Sequence, residues 1–204
     1  MDTVALVPVK RLNRAKSRLA PALSRRERAS LARNMLAHVL EAIDRSGVVD
    51  TIVVIGPGVE AGEWGLPHDA VPLAQSRHGL NNALEEGRQW AISQGADALL
   101  IMFADLPLLT PQDVMGMVEL GSRPGTVVLA PDRHRRGTNA LFTRPIGLAR
   151  FAFGPDSYNR HAALALQAGA NLQVYSSQGT ALDVDTPDDL SFIESLYHAS
   201  GEHP

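Results

Sequence analysis

Apolar residues in this chain follow two alternating rhythms. Short unbroken runs at Val4–Val9, Thr51–Ile55, Ala98–Phe103 and Thr126–Ala130 read as strands, the third one buried on both faces. Elsewhere apolar residues recur three and four apart. Leu31, Met35, Val39 and Ile43 do so, widened by Ala32, Leu36 and Leu40 into the stripe of an amphipathic helix. Polar residues mark the boundaries. Ser24-Arg-Arg-Glu27 is a capping box that opens this helix, and Gly47 ends it. A second helix begins at Gly79–Leu84 and reaches about Gln94. Thr110 caps a third, with Pro111 at its first position. Gly154-Pro-Asp-Ser157 caps a fourth from Tyr158 to Ala168, and Gly169 follows it. Thr186 caps the last helix, Pro187 begins it, and Asp188 and Asp189 favour its positive end. Val71-Pro-Leu73 suits an edge strand, because Pro72 cannot donate to a ladder. Ala140–Phe142 and Leu172–Tyr175 complete the strands. The stretch Val59–Asp69 reads as irregular, with Trp64 over a core edge, and the tail after about Ala199 as frayed. Strand and helix alternate without repeat or linker, which predicts one three-layer α/β domain over residues 1–204.

Composition narrows the class. With 204 residues, 45% of them hydrophobic, the chain is long enough to bury a proper core. It has no cysteine, which excludes disulfides, thiolate metal sites and cysteine nucleophiles. The N-terminal stretch lacks a basic region followed by a long apolar one, and no apolar run approaches the roughly 20 residues of a bilayer span. These features predict a cytoplasmic protein without a membrane partner. A net charge of -3 argues against a nucleic-acid binder. The cations nevertheless concentrate in Lys10–Arg33 and Arg133–Arg136, an uneven placement that suits a small anionic ligand.

Candidate chemistry lies at strand ends. The run Ala98–Phe103 is followed by Asp105, then by a proline that stops the ladder. Ligands of open α/β sheets sit beyond the carboxyl ends of the strands. Asp105 is placed to hold a metal ion against a phosphorylated substrate, although an Asp there also serves as a plain terminator. Asp183 and Asp185 lie two apart in an extended segment and so point the same way. With Asp105 they offer hard oxygen ligands to magnesium, which takes one or two carboxylates plus substrate phosphates. Their plainer role is to prepare the following helix. The first strand runs into Lys10, Arg11, Arg14, Lys16 and Arg18, five cations within nine residues and without a glycine-rich fingerprint. Any phosphate grip there must lean on side-chain charge. Thr138, Asn139, Gly154 and Ser157 form a second constellation of glycine, hydroxyls and helix-start amides suited to phosphate or carboxylate oxygens. Asn81 and Asn82 are ordinary helix-start residues that also serve as candidates for base or ribose recognition.

Taken together, Val7-Pro-Val-Lys10, Ala15-Lys-Ser-Arg-Leu19, Ala104-Asp-Leu-Pro107, Gly137-Thr-Asn139, Phe153-Gly-Pro-Asp-Ser157 and Asp183-Val-Asp-Thr-Pro187 resemble the guanylyltransferases of coenzyme F420 biosynthesis. The resemblance covers roughly Val4 to Leu196. It implies a fold similar to the nucleotide-diphospho-sugar transferases, a mixed and mostly parallel sheet between helices. It implies transfer of GMP from GTP to a small phosphorylated acid, with release of pyrophosphate and with Mg2+ as cofactor. Thr138, Gly154 and Ser157 match the acid-substrate site, with Asn139 beside them. Asp105, Asp183 and Asp185 match the metal-binding positions, and Lys16 falls in the basic phosphate loop with Lys10 and Arg14. The guanine contacts stay open, with Asn81 and Asn82 as candidates. Phosphoenolpyruvate, 3-phospho-D-glycerate and 2-phospho-L-lactate all fit as acceptors, and a homo-oligomer is compatible with the chain. Competing readings are a sugar-phosphate or molybdopterin-type nucleotidyltransferase of the same fold and a non-catalytic nucleotide sensor. A phospho-acceptor signalling domain needs an acidic pair after its first strand, where this chain is basic.

Overall fold

The apolar runs become strands β1 (Thr3–Pro8), β2 (Thr51–Gly56), β3 (Ala70–Ala74), β4 (Ala98–Met102), β5 (Thr126–Pro131), β6 (Thr138–Arg144) and β7 (Asn171–Val174). The helices are α1 (Arg25–Ser46), α2 (Leu80–Ser93), α3 (Pro111–Leu120), α4 (Ser157–Gln167), α5 (Gln178–Ala181) and α6 (Pro187–Ser200). The structure is a computed structural model that describes residues 1–59, 62 and 64–200, the last four of them as backbone. Within the described residues the strands form one sheet in the order β3-β2-β1-β4-β6-β5-β7. All neighbours pair in parallel except β6, which runs against both β4 and β5. No helix among them is long and apolar enough to cross a membrane.

Every residue of β4 is fully buried because helices cover both sides of the sheet. Ala5, Val7, Val54, Leu100, Met102, Val128 and Phe142 face α1 and α3, where Leu36, Val39, Ile43, Val114 and Met117 meet them. Leu6, Val53, Leu99, Ile101, Leu129 and Leu141 face the other way, toward Leu84 and Ala91 of α2 and Ala165 of α4. This is the expected three-layer α/β domain.

A third, smaller core matters most for function. Leu19, Met35, Leu182, Val184 and Ile193 pack together, joining the turn after β1, helix α1, the segment before α6 and α6 itself. Leu19 and Val184 are essentially inaccessible to solvent. Burying such a side chain contributes roughly 1.5–3 kcal/mol. That contact draws the basic segment near the start of the chain against the acidic segment near its end.

Several boundaries shift. The capping box at Ser24 and the cap at Thr110 form as expected, the latter also closing into a box with Asp113, and β3 lies at the sheet edge. Phe103 falls just outside β4, although its N–H still reaches Asn139 O at 3.1 Å. Strand β6 begins at Thr138, so Thr138 and Asn139 belong to the sheet and not to the loop before it. Helix α4 starts at Ser157 itself, and Asp156, in a left-handed conformation, precedes it without a side-chain cap. Asn81 and Asn82 do not cap α2, whose boundary residue is Gly79. The four-residue α5 was not anticipated. Trp64 is buried as expected, while 60, 61 and 63 of the irregular stretch lie outside the described residues. Helix α6 continues to Ser200, and the rest of the expected frayed tail, 201–204, also lies outside them.

Candidate active site

The carboxyl ends of β1 and β4 lead directly into the candidate residues. After β1 the chain makes two single 3-10 turns, Leu12–Arg14 and Ser17–Leu19, separated by Lys16 at φ 50°. Leu12 and Leu19 anchor these turns in the core, and Lys10, Arg11, Arg14 and Arg18 remain exposed. Lys16 differs from them. Its ammonium lies 2.7 Å from Asp105 Oδ2 and 3.2 Å from Asp185 Oδ1, and its side chain is only 9% exposed. Burial works against its charge, but attraction and hydrogen bonding from Asp105 and Asp185 outweigh that, so its pKa lies above the usual lysine value. Arg18 joins the cluster through Asp185 Oδ2 at 3.5 Å.

The segment Leu182–Asp185 alternates as an extended chain should. Leu182 and Val184 turn into the small core, while Asp183 and Asp185 turn toward Asp105. Val184 N–H donates to Asp105 O at 3.2 Å, which ties the segment to the loop after β4. Asn139 Nδ2 donates to Asp183 Oδ1 at 3.2 Å and to Thr180 O at 3.0 Å. Burial, reinforced by the Asp105 charge, pushes Asp183 up to about 6 despite the Asn139 hydrogen bond. Asp105 Oδ1 is buried and has no hydrogen-bond partner among the described residues. Two carboxylates therefore hold the Lys16 ammonium and a third, Asp183, lies within the field of both, leaving an excess of negative charge beside an orphaned acceptor. No group of three or more His, Asp or Glu among the described residues forms a ready-made metal cage.

The second constellation assembles where β6 meets α4. Thr138 N–H donates to Ser157 Oγ at 2.9 Å, and Thr138 Oγ1 lies 3.0 Å from His161 Nδ1. Gly154, exposed and at φ 126°, begins the turn into α4 and accepts from Ser157 N–H at 3.1 Å. That φ strongly favours glycine. Thr138, Gly154 and Ser157 are therefore brought together, with both hydroxyls buried, while Asn139, the next residue of the strand, turns its amide to Asp183 and Thr180 instead.

Asn81 takes a different part from the one expected of it. Its Oδ1 accepts from Phe153 N–H at 2.9 Å, and its Nδ2 donates to Phe153 O at 3.0 Å. Both amide atoms thus clamp backbone. Asn82 is exposed and donates to His78 O at 2.7 Å. Lys10 and Arg14 form no ion pair among the described residues and stand at the open side of the first loop.

Sequence reasoning missed three supporting residues. Asp189, from its position in the sequence, reads only as a helix-start residue. Its Oδ2 accepts from Asp185 N–H, Thr186 N–H and the Thr186 hydroxyl, while its Oδ1 pairs with Arg133. It therefore locks the basic loop before β6 onto the acidic segment. Glu86 gathers Ser76 N–H, Ser76 Oγ, Arg77 N–H and Arg77 Nε, which outweigh burial and hold its carboxyl well below the usual range. The loop between β3 and α2 is shaped on it. The third is His161, and spacing alone marks it out, since it stands four residues after Ser157 on the same helix face.

Comparison with known proteins places the chain in a family. The family described as guanylyl transferase CofC-like matches residues 3–204. A phosphoenolpyruvate guanylyltransferase of Sphaerobacter thermophilus is 43% identical over 190 residues, covering 93% of this chain and 91% of its own length. A 2-phospho-L-lactate guanylyltransferase of Methanothermobacter thermautotrophicus is 34% identical over 204 residues, covering all of this chain and 88% of its own. Among solved structures, a protein described as a nucleotide-diphospho-sugar transferase from Desulfovibrio desulfuricans G20 superposes with a TM-score of 0.81 at 18% identity, covering 98% of this chain and 90% of its own. That likeness speaks for the fold. The family match over nearly the whole chain speaks for the kind of enzyme: the chain belongs to the CofC-like guanylyl transferases and is a nucleotidyltransferase.

Proposed function

We propose that the protein transfers GMP from GTP to the phosphate of a three-carbon phospho-acid in coenzyme F420 biosynthesis. The acceptor would be phosphoenolpyruvate or 3-phospho-D-glycerate, with 2-phospho-L-lactate as a further candidate. The relatives named for such reactions support this reading. The observation that carries it is the convergence of Lys16, Asp105, Asp183 and Asp185 at the carboxyl ends of β1 and β4.

The acceptor phosphate is the nucleophile. With a second pKa of about 6 it is largely ionised at neutral pH, so no side chain need remove a proton. Its oxygen bonds to the α-phosphorus of GTP as the bond from that phosphorus to the pyrophosphate oxygen breaks, and pyrophosphate departs with the electron pair. The difficulty is repulsion between two polyanions and charge on the leaving group. Lys16, fully charged and held by its two carboxylates, supplies a fixed cation. Lys10, Arg14 and Arg18 supply exposed ones for the triphosphate. Asp105, Asp183 and Asp185 would offer carboxylate oxygens to a magnesium ion whose remaining ligands come from substrate phosphates and water; the Asp105 Oδ1 left without a partner among the described residues and the unfavourably buried Asp183 favour that reading. Magnesium would supply charge neutralisation at the phosphates. Thr138, Gly154 and Ser157 would receive the acid, with Asn139 beside them holding Asp183.

The test offers GTP, Mg2+ and all three acids in competition, and identifies the guanylated product by mass. One guanylated acid and stoichiometric pyrophosphate are expected. No GTP-dependent pyrophosphate release with any acid, or a preference for another nucleoside triphosphate, overturns the reading.

A further inference from the structure

His161 follows Ser157 by four residues on α4, is buried, and has no part in the mechanism above. Its ring is nonetheless fully engaged. Nε2 accepts the Ala152 backbone N–H at 2.9 Å, and Nδ1 lies 3.0 Å from Thr138 Oγ1. A ring nitrogen that accepts carries no proton, which assigns the tautomer with hydrogen on Nδ1. Burial, followed by the Arg160 charge, pushes the imidazole down to about 4, so the ring is neutral near pH 7. Phe153 holds it edge-on, with ring centroids 4.5 Å apart, and the Asn81 clamp fixes the Phe153 backbone in turn.

Nδ1–H therefore donates to Thr138 Oγ1. A hydroxyl that accepts from a fixed partner keeps its own hydrogen for something else. Ser157 Oγ is in the same condition, because it accepts Thr138 N–H. An ionised carboxylate or phosphate oxygen only accepts, so its site needs donors. Two adjacent hydroxyls whose acceptor sides are taken by the protein meet that need.

We propose that His161 is a positioning residue for the acceptor acid: by donating from Nδ1 it turns the Thr138 hydroxyl into an oriented donor toward an anionic oxygen of the phospho-acid. This rests on the placement of the acid at Thr138, Gly154 and Ser157.

Two amide substitutions separate polarity from shape. His161→Asn carries an amide nitrogen near the Nδ1 position and keeps the donor toward Thr138, losing the acceptor for Ala152 N–H. His161→Gln keeps an acceptor near the Nε2 position and loses the donor. Calorimetry with phosphoenolpyruvate and 3-phospho-D-glycerate, with GTP and Mg2+ present or absent, is run beside steady-state kinetics and thermal melts. His161→Gln is expected to weaken the acid about tenfold in Kd and KM, with a much smaller change in KM for GTP. His161→Asn is expected to stay within about threefold for the acid, even where it melts earlier. In a Thr138→Val background, His161→Gln should add no further loss, because both changes remove one linkage.

Equal weakening by both amides, an equal shift for GTP, or multiplying effects in the double variant would each overturn the proposal. If the glutamine protein does not fold, the asparagine protein decides by that same threefold limit. A wild-type protein that binds acid but forms no guanylated product sinks the proposed reaction and leaves this inference to the binding data. A wild type that binds no acid under any condition sinks both.

Discussion

Asp105 combines an ion pair to Lys16 through Oδ2 with a buried Oδ1 that has no partner among the described residues. Asp105→Asn keeps the shape and removes the charge. Turnover is expected to fall at least about 100-fold, or ~2.7 kcal/mol of transition-state stabilisation, with the melting temperature little changed. Steady-state rates beside thermal melts check it, and a near-wild-type rate would remove Asp105 from the chemistry. Asp183 makes a prediction about pH. Its carboxyl rises from 3.8 in the unfolded chain to about 6 when folded, so the folded state binds more protons across that interval. Its contribution to stability is present at low pH and is lost as pH rises from about 4 to about 6. A bound cation favours the ionised form and reverses that loss. The gain in melting temperature on adding MgCl2 and GTP should therefore grow as pH rises through about 6. A flat gain would separate Asp183 from any metal. His161 acts in the opposite sense in the ligand-free protein, because its lowered pKa removes stability as pH falls from 6.5 toward about 4. Only the difference between liganded and unliganded melts isolates Asp183.

Helix α5 shows how a short element earns its position. Asp113 caps α3 together with Thr110 and also accepts from Tyr175 Oη at 3.0 Å, while Gly179 of α5 lies against it. A Cβ at Gly179 would stand 2.7 Å from Leu108 O and closer still to Asp113 Oδ2. Gly179→Ala is therefore expected to destabilise the fold by roughly 1–3 kcal/mol in chemical denaturation. Thr180 beside it carries the carbonyl that holds Asn139, so a looser α5 should also blunt activity. Elements of this kind explain what the sequence could reveal. Long helices and their caps were legible because Ser24, Thr110 and Gly47 act through neighbours three or four residues away. Four-residue α5 has no period to detect. Thr138 and Asn139 looked like loop because a glycine and four basic residues precede them, and only pairing with β4 and β5 makes them strand. The acidic and basic clusters were legible as types, whereas the Asn81 clamp bridges 72 positions and leaves no local trace.

At the scale of the molecule, the small core of Leu19, Met35, Leu182, Val184 and Ile193 decides that the site exists. It closes a loop between distant parts of the chain, and Lys16 meets Asp185 across 169 positions because Leu19 and Val184 share that core. Around that centre the exposed cations Lys10, Arg11, Arg14 and Arg18 face solvent in a chain whose net charge is -3. Their pull on a triphosphate is screened by salt, with a Debye length of about 10 Å at 0.1 M. KM for GTP is expected to rise severalfold between low salt and about 0.5 M KCl, with kcat far less affected. An unchanged KM would mean that these side chains do not meet the nucleotide.

The reversed direction of β6 has a practical corollary. Because it runs against its neighbours, it delivers its first residues to the rim where the other strands finish. The connection at 132–137 consequently borders the chemistry, whereas the turn at 121–125, equally exposed at Ser122–Pro124, lies at the opposite end of the strands, where β5 begins and β6 ends. A peptide tag spliced between Ser122 and Pro124 should leave catalysis intact, and the same tag between His134 and Arg136 should silence it. One strand's polarity thus dictates where this enzyme will accept foreign sequence.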